Sequence, residues 1–89
     1  MDEIIRIKAG SLSDAEEQIY NNVNGAVIKT IILYNNNESK KEVTLNIDGV
    51  AFLISLESKE TRIINNSIKV NLLKVKGEGV NAHITAVQL

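Results

Sequence analysis

The sequence predicts an all-β fold, an antiparallel β-sandwich of about eight short strands with Ig-like or jelly-roll-like connections. Three observations carry this. The apolar residues are mostly Ile, Val and Leu, whose branched side chains suit a pleated surface. They recur at alternate positions in short runs separated by Gly, Asn and Asp. No segment sustains the 3.6-residue period that a parallel α/β fold requires of its helices.

The elements follow in chain order. Ile4–Lys8 reads as a short strand ended by Gly10. Ser11–Tyr20 admits two readings. Ser13-Asp14-Ala15-Glu16 fits a capping box that would start a short helical turn. Only Leu12, Ala15 and Ile19 could then face a core, so an irregular loop leading into a strand at Glu17–Tyr20 is preferred. Residues 1–16 are therefore assigned as an N-terminal arm or lead-in, and 17–89 as the β-sandwich domain.

Asn21–Gly25 reads as a turn cluster. Ala26–Asn35 is the strongest strand, with apolar residues on both faces: Ile28, Ile32 and Tyr34 on one, Val27, Ile31 and Leu33 on the other. The domain's own core is expected to cover one face, and the other must meet something else, the N-terminal segment or a second subunit. Glu42–Ile47 alternates cleanly, and Asp48-Gly49 then turns the chain into Val50–Leu56. Asp-Gly between alternating apolar runs signals a two-residue hairpin, because a type I′ turn needs positive φ at both positions. Thr61–Ile64, a second Asn-rich turn at Asn65–Ser67, a strand beginning at Ile68 and a final strand from Val80 to Gln88 complete the chain. The neighbouring Leu72 and Leu73 break the alternation, which calls for a bulge or tight turn.

Composition excludes several functions. A chain of 89 residues buries only about 60–65% of the surface it would expose unfolded, so such domains need an added source of stability. It has no Cys and a single His, His83, which rules out disulfides and thiolate sites and leaves no zinc site. No cofactor or metal is expected, and association with other subunits is the remaining route. Three aromatic residues, Tyr20, Tyr34 and Phe52, are too few for a nucleic-acid stacking platform or a glycan-binding face. The net charge of −1 is spread without a basic patch, which argues against nucleic acid as a partner. The longest apolar run, Val50–Ile54, is far short of the ~20 residues of a membrane span. The acidic start Met1-Asp2-Glu3 is unlike a signal peptide, so synthesis and retention in the cytoplasm are expected.

No catalytic constellation emerges. His83 has no nucleophile or orienting carboxylate beside it in sequence. Gly77-Glu78-Gly79 precedes no helix that could receive a phosphate and reads as a turn. Asn46, Asp48 and Glu60 supply too few oxygens for calcium, and Asp48 is already explained by its turn. The chain is expected not to be an enzyme.

Residues 18–89 resemble a family of small β-sandwich accessory proteins of tailed bacteriophage virions, encoded among the virion genes of phages and prophages. An isoleucine-tyrosine strand, Ile19-Tyr20, opens the pattern. Ala26–Asn35 (AVIKTIILYN), Val43–Val50 (VTLNIDGV), Thr61–Ile64 (TRII) and Gly79–Leu89 (GVNAHITAVQL) then follow in the family's order. Asn22-Val23-Asn24-Gly25 stands where the family has a Val-Pro-Ala-Gly loop, and Met1–Glu17 has no counterpart. The resemblance implies a non-enzymatic virion protein: a capsid decoration protein that stabilises the assembled head, or alternatively a tail, neck or baseplate component. It implies the major capsid protein or other virion proteins as partners, a trimer or dimer, and the virion as location. Candidate contact residues are Ile4, Ile5 and Ile7 in the arm, which could add a strand to a neighbour's sheet, and Val27, Ile31 and Leu33 on the second face of Ala26–Asn35.

Overall fold

Asp48 and Gly49 have φ of 52° and 90°, the left-handed values of the expected hairpin turn. The strands they join, and all others in this computed structural model, which describes residues 3–89, are antiparallel. Met1 and Asp2, the first residues of the expected arm, lie outside the described residues.

The fold is all-β and antiparallel, as the alternation predicts. Among the described residues the strands number six rather than eight, and they form one sheet: β1 (Ile4–Ser11), β2 (Glu17–Asn35), β3 (Lys41–Ile47), β4 (Val50–Leu56), β5 (Thr61–Lys76) and β6 (Val80–Gln88), in the order β1-β6-β2-β5-β3-β4. The difference lies in two expected turns. Asn21–Gly25 and Asn65–Ser67 do not reverse the chain but lie within β2 and β5, where the pairing register slips. Asn and Gly tolerate the dihedrals of a bulge as readily as those of a turn. Asn71 holds the first irregularity: its side-chain amide donates to the Asn22 and Val23 carbonyls at 3.1 Å. Ser11–Tyr20 takes the loop reading, with a bend at Asp14-Ala15 and β2 starting at Glu17.

These bulges bend the sheet. Nineteen extended residues would reach roughly 60 Å, yet the longest dimension of the molecule is 42 Å. β2 and β5 pair along most of their lengths, and their ends belong to two different halves. In one half, β6 and β1 continue from Ala26–Asn35; in the other, β3 and β4 continue from Leu73–Lys76. The halves curl towards each other. Val43, Leu45 and Leu56 from β3 and β4 pack in a single cluster with Ile31, Leu33, Ala82 and Ile84 from β2 and β6.

Three polar contacts fix the curl. Lys8 of β1 pairs with Glu17 at the start of β2, with Nζ–Oε2 at 3.1 Å. Asn35 is fully buried at the end of β2, and its amide donates to the Ser39, Leu56 and Glu57 carbonyls at 2.9, 3.2 and 3.0 Å. Asp48 accepts the backbone N–H groups of Asn71 and Leu72, each at 2.8 Å, and so ties the β3–β4 turn to β5.

Among the described residues, the carboxyls of Asp48 and Glu60 sit below their ordinary pKa. The Leu72 N–H, then the Asn71 N–H, hold Asp48 down. The Glu57 N–H, then the Arg62 guanidinium, do the same for Glu60. A carboxyl depressed in the folded state contributes stability that is complete above its unfolded pKa, about 3.9 for Asp and 4.3 for Glu, and is lost as pH falls through the folded value. Thermal melts followed by circular dichroism are expected to be flat from neutrality to about pH 5 and to drop below that. Asp48→Asn and Glu60→Gln should each flatten the acid limb.

Candidate interaction surface

The hairpin phase decides what β4 exposes. Val50, Phe52, Ile54 and Leu56 face the same side as their β3 partners Ile47, Leu45, Val43 and Lys41. Leu56 is sealed in the core, but towards the turn the two halves diverge. An apolar cleft of about 490 Å³ opens there. β3 and β4 form one wall with Leu45, Ile47, Val50 and Phe52; Ile31 of β2 and Ile64 and Ile68 of β5 form the other. The lining contains no charged side chain. Phe52 remains 52% exposed and Val50 56% exposed, so the protein's own core does not fill the space between the walls.

Outside the cleft lining, near the Glu57–Glu60 connection, the contacts between β4 and β5 are polar. Arg62 donates through Nε and Nη2 to Glu60 at 3.0 and 2.7 Å, and its Nη2 also reaches the Ser55 carbonyl at 3.3 Å. This clamp holds β4 close to β5 near the Glu57–Glu60 connection and leaves the far end apart.

A smaller concavity of about 260 Å³ lies on the opposite surface, between Ala9 and Gly10 of β1, Ile32 and Tyr34 of β2, and Asn81–His83 of β6. His83 stands there opposite Ile32 and Ala9. Among the described residues, no three His, Cys, Asp or Glu side chains converge as a metal site. Every buried side-chain nitrogen and oxygen among them has a hydrogen-bond partner.

The sequence-predicted contact residues fall into two groups. Ile31 and Leu33 are 1% and 0% exposed and belong to the core, while Val27 is half-buried on the other face with Ile32 and Tyr34. The assignment of Val27, Ile31 and Leu33 to one shared outer face is thus corrected. The register slips around Lys29, so the alternation reverses between Ile28 and Ile31, and Ile28, Ile31 and Leu33 share the inner face. Ile31 keeps a part in the cleft wall. Ile4, Ile5 and Ile7 lie in β1, which pairs with the chain's own β6. Ile4 is 68% exposed, and Ile5 and Ile7 are half-buried. The cleft residues Val50 and Phe52 were legible as one face of a strand; that this face stays partly open depends on the bend of the sheet.

No protein-family model and no curated protein matches the sequence. Among solved structures, the chain is similar to an exo-β-1,3-galactanase from Phanerochaete chrysosporium solved with galactose, with a TM-score of 0.44 and 8% identity. The similarity covers 98% of this chain and 29% of that one, so the chain spans less than a third of the galactanase.

Proposed function

We propose that this protein is a non-enzymatic structural component of a phage particle, a decoration protein that docks on the assembled capsid through its apolar cleft. The observation that carries the reading is the cleft: a charge-free trough flanked by half-exposed Phe52 and Val50. Such a surface suits an apolar side chain from another protein and offers nothing to polarise a bond or stabilise a developing charge. The resemblance of the segments in residues 18–89 to those of small virion accessory proteins suggests the class of partner, the major capsid protein or a neighbouring virion protein.

The physical consequence is stabilisation by mass action. A subunit that binds only the assembled lattice favours assembly. Covering the exposed half of Phe52, on the order of 100 Å², contributes about 2.5 kcal/mol before ordering costs. Phe52→Lys is therefore expected to weaken attachment by roughly 30-fold or more while leaving the fold intact, since the side chain is half in solvent. Co-sedimentation of the purified variant with particles lacking the protein measures this. Equal occupancy by Phe52→Lys and the unaltered protein would dismiss the cleft as the contact. Absence of the protein from purified particles would dismiss the virion role. A copy number matching the capsid lattice marks a decoration protein, and a much lower one a tail, neck or baseplate component.

A further inference from the structure

The two ends of the sheet differ in how they treat their unpaired backbone groups. β1 carries Arg6 and Lys8, and its register against β6 slips between these two residues. Charge and a bulge of this kind discourage strand addition. The unpaired side of β5 above Val70 is likewise broken by Asn65–Ser67 and flanked by Arg62 and Lys69. β4 has none of these guards. Its seven residues, VAFLISL, include no charge and no proline, its register with β3 is unbroken, and Val50 to Leu53 are all exposed.

The phase of the β3–β4 hairpin fixes which groups that edge offers. Asp48 N–H donates to the Leu72 carbonyl on β5, so the backbone groups of β3 residues Asn46 and Thr44 also turn towards β5. Those of Ile47, Leu45 and Val43 turn towards Val50, Phe52 and Ile54. The outward-pointing N–H and C=O groups of β4 are therefore those of Ala51, Leu53 and Ser55. One of these six groups is engaged: the Ser55 carbonyl accepts the 3.3 Å hydrogen bond from Arg62 and keeps a second lone pair.

We propose that β4 pairs antiparallel with β4 of a second copy of this chain, about a twofold axis at Leu53. The strand runs from Val50 to Leu56, so Leu53 is its midpoint. Pairing about that point sets Leu53 opposite Leu53 of the other copy, Ala51 opposite Ser55, and Phe52 opposite Ile54. Every outward group then meets its complement, and no charge within the strand is placed beside another. Joining β4 to β1 instead would put an uncharged edge against Arg6 and Lys8 and would propagate as an open fibre, whereas β4 on β4 closes at two. The other face of β4 still points into the cleft, so the dimer carries two clefts side by side. It stands independently of the virion reading. One strand edge with its flanking side chains covers on the order of 1,000 Å² in total, the size of a weak and reversible association.

The chain has no Cys, so a single introduced thiol reports the register. Leu53→Cys should form a disulfide-linked dimer under mild oxidation, because hydrogen-bonded antiparallel partners lie about 5.5 Å apart at Cα, within disulfide reach. Ala51→Cys alone should not, since the two copies of residue 51 are offset by roughly 13 Å along the strands. A mixture of Ala51→Cys and Ser55→Cys chains should link in the mixed pair. Sedimentation of the unaltered protein should show a concentration-dependent dimer, and Leu53→Lys, which sets two ammonium groups face to face, should be a folded monomer by circular dichroism. A chain monomeric at all concentrations overturns the proposal. So does a dimer in which Ala51→Cys links as readily as Leu53→Cys, or in which Leu53→Cys does not link.

Discussion

Asn35→Asp is expected to be among the most damaging single-atom exchanges in this protein, costing at least about 3 kcal/mol at neutral pH. Asn35 is fully buried and uses both ends of its amide. Its nitrogen donates to three carbonyls, and its oxygen accepts the Asn37 backbone N–H at 3.0 Å and the Asn37 side-chain amide at 2.9 Å. A carboxylate keeps the two acceptor contacts but turns an anion towards three carbonyl oxygens with no proton between them. Asn35→Ala abandons both sets and should cost a similar amount. A domain of this length has about 5–10 kcal/mol in all, so either change removes a large share. Urea denaturation at pH 7 measures the loss. The aspartate variant has a further signature. Burial among acceptors raises its folded pKa above the unfolded value, so its stability should rise as pH falls through the folded pKa, because the protonated acid regains one donor. The unaltered protein has the opposite slope, since its depressed carboxyls, Asp48 and Glu60, lose their contribution in acid. A variant that melts like the unaltered protein at pH 7 would show that Asn35 does not join β2 to the β4–β5 connection.

Leu33→Ala is expected to cost about 3 kcal/mol, or roughly 12–20 °C in melting temperature. Leu33 is completely enclosed, between Ala82 on β6 and Arg62 on β5 in the sheet. Truncation leaves a cavity that neighbouring strands, tied on both sides, cannot collapse to fill. Val27→Ala, at a half-buried position on the outer face of the same strand, should cost no more than about 1 kcal/mol. Equal losses at both positions would mean that β2 does not present its faces as described. The contrast also separates stability from attachment: Leu33 supports the fold, while Phe52 projects into the cleft.

How much of this was legible in the sequence varies by element. Asp48-Gly49 was readable because only a few residue pairs accept two positive φ values in succession, and the alternation on either side sets the register without outside help. The all-β class followed from composition and the period of two. The strand count did not, because Asn21–Gly25 and Asn65–Ser67 have the residue types of both a turn and a bulge. The choice between them is made by long β2–β5 pairing, between residues far apart in the chain. The same non-local cause hid the faces of β2, where Lys29 interrupts an alternation that looks continuous in one dimension. Asn35 reads only as the polar end of the strand Ala26–Asn35, and the closing of β4 over it makes it a buried hub. Val50 and Phe52 were placed on one face from sequence, but whether that face is sealed or open is set by how far the halves part.

The position of β6 between β1 and β2 has a kinetic consequence. The strand nearest the amino end has no partner until the one nearest the carboxyl end has been made, and β2 keeps one flank bare for as long. β1 therefore cannot find its place until Val80–Gln88 has been made and can reach it. The search that joins such distant segments is slow compared with zipping a local hairpin. During that interval the Asp48-Gly49 hairpin is the one part of the sheet able to form from neighbouring residues alone, which makes it the natural seed for the rest.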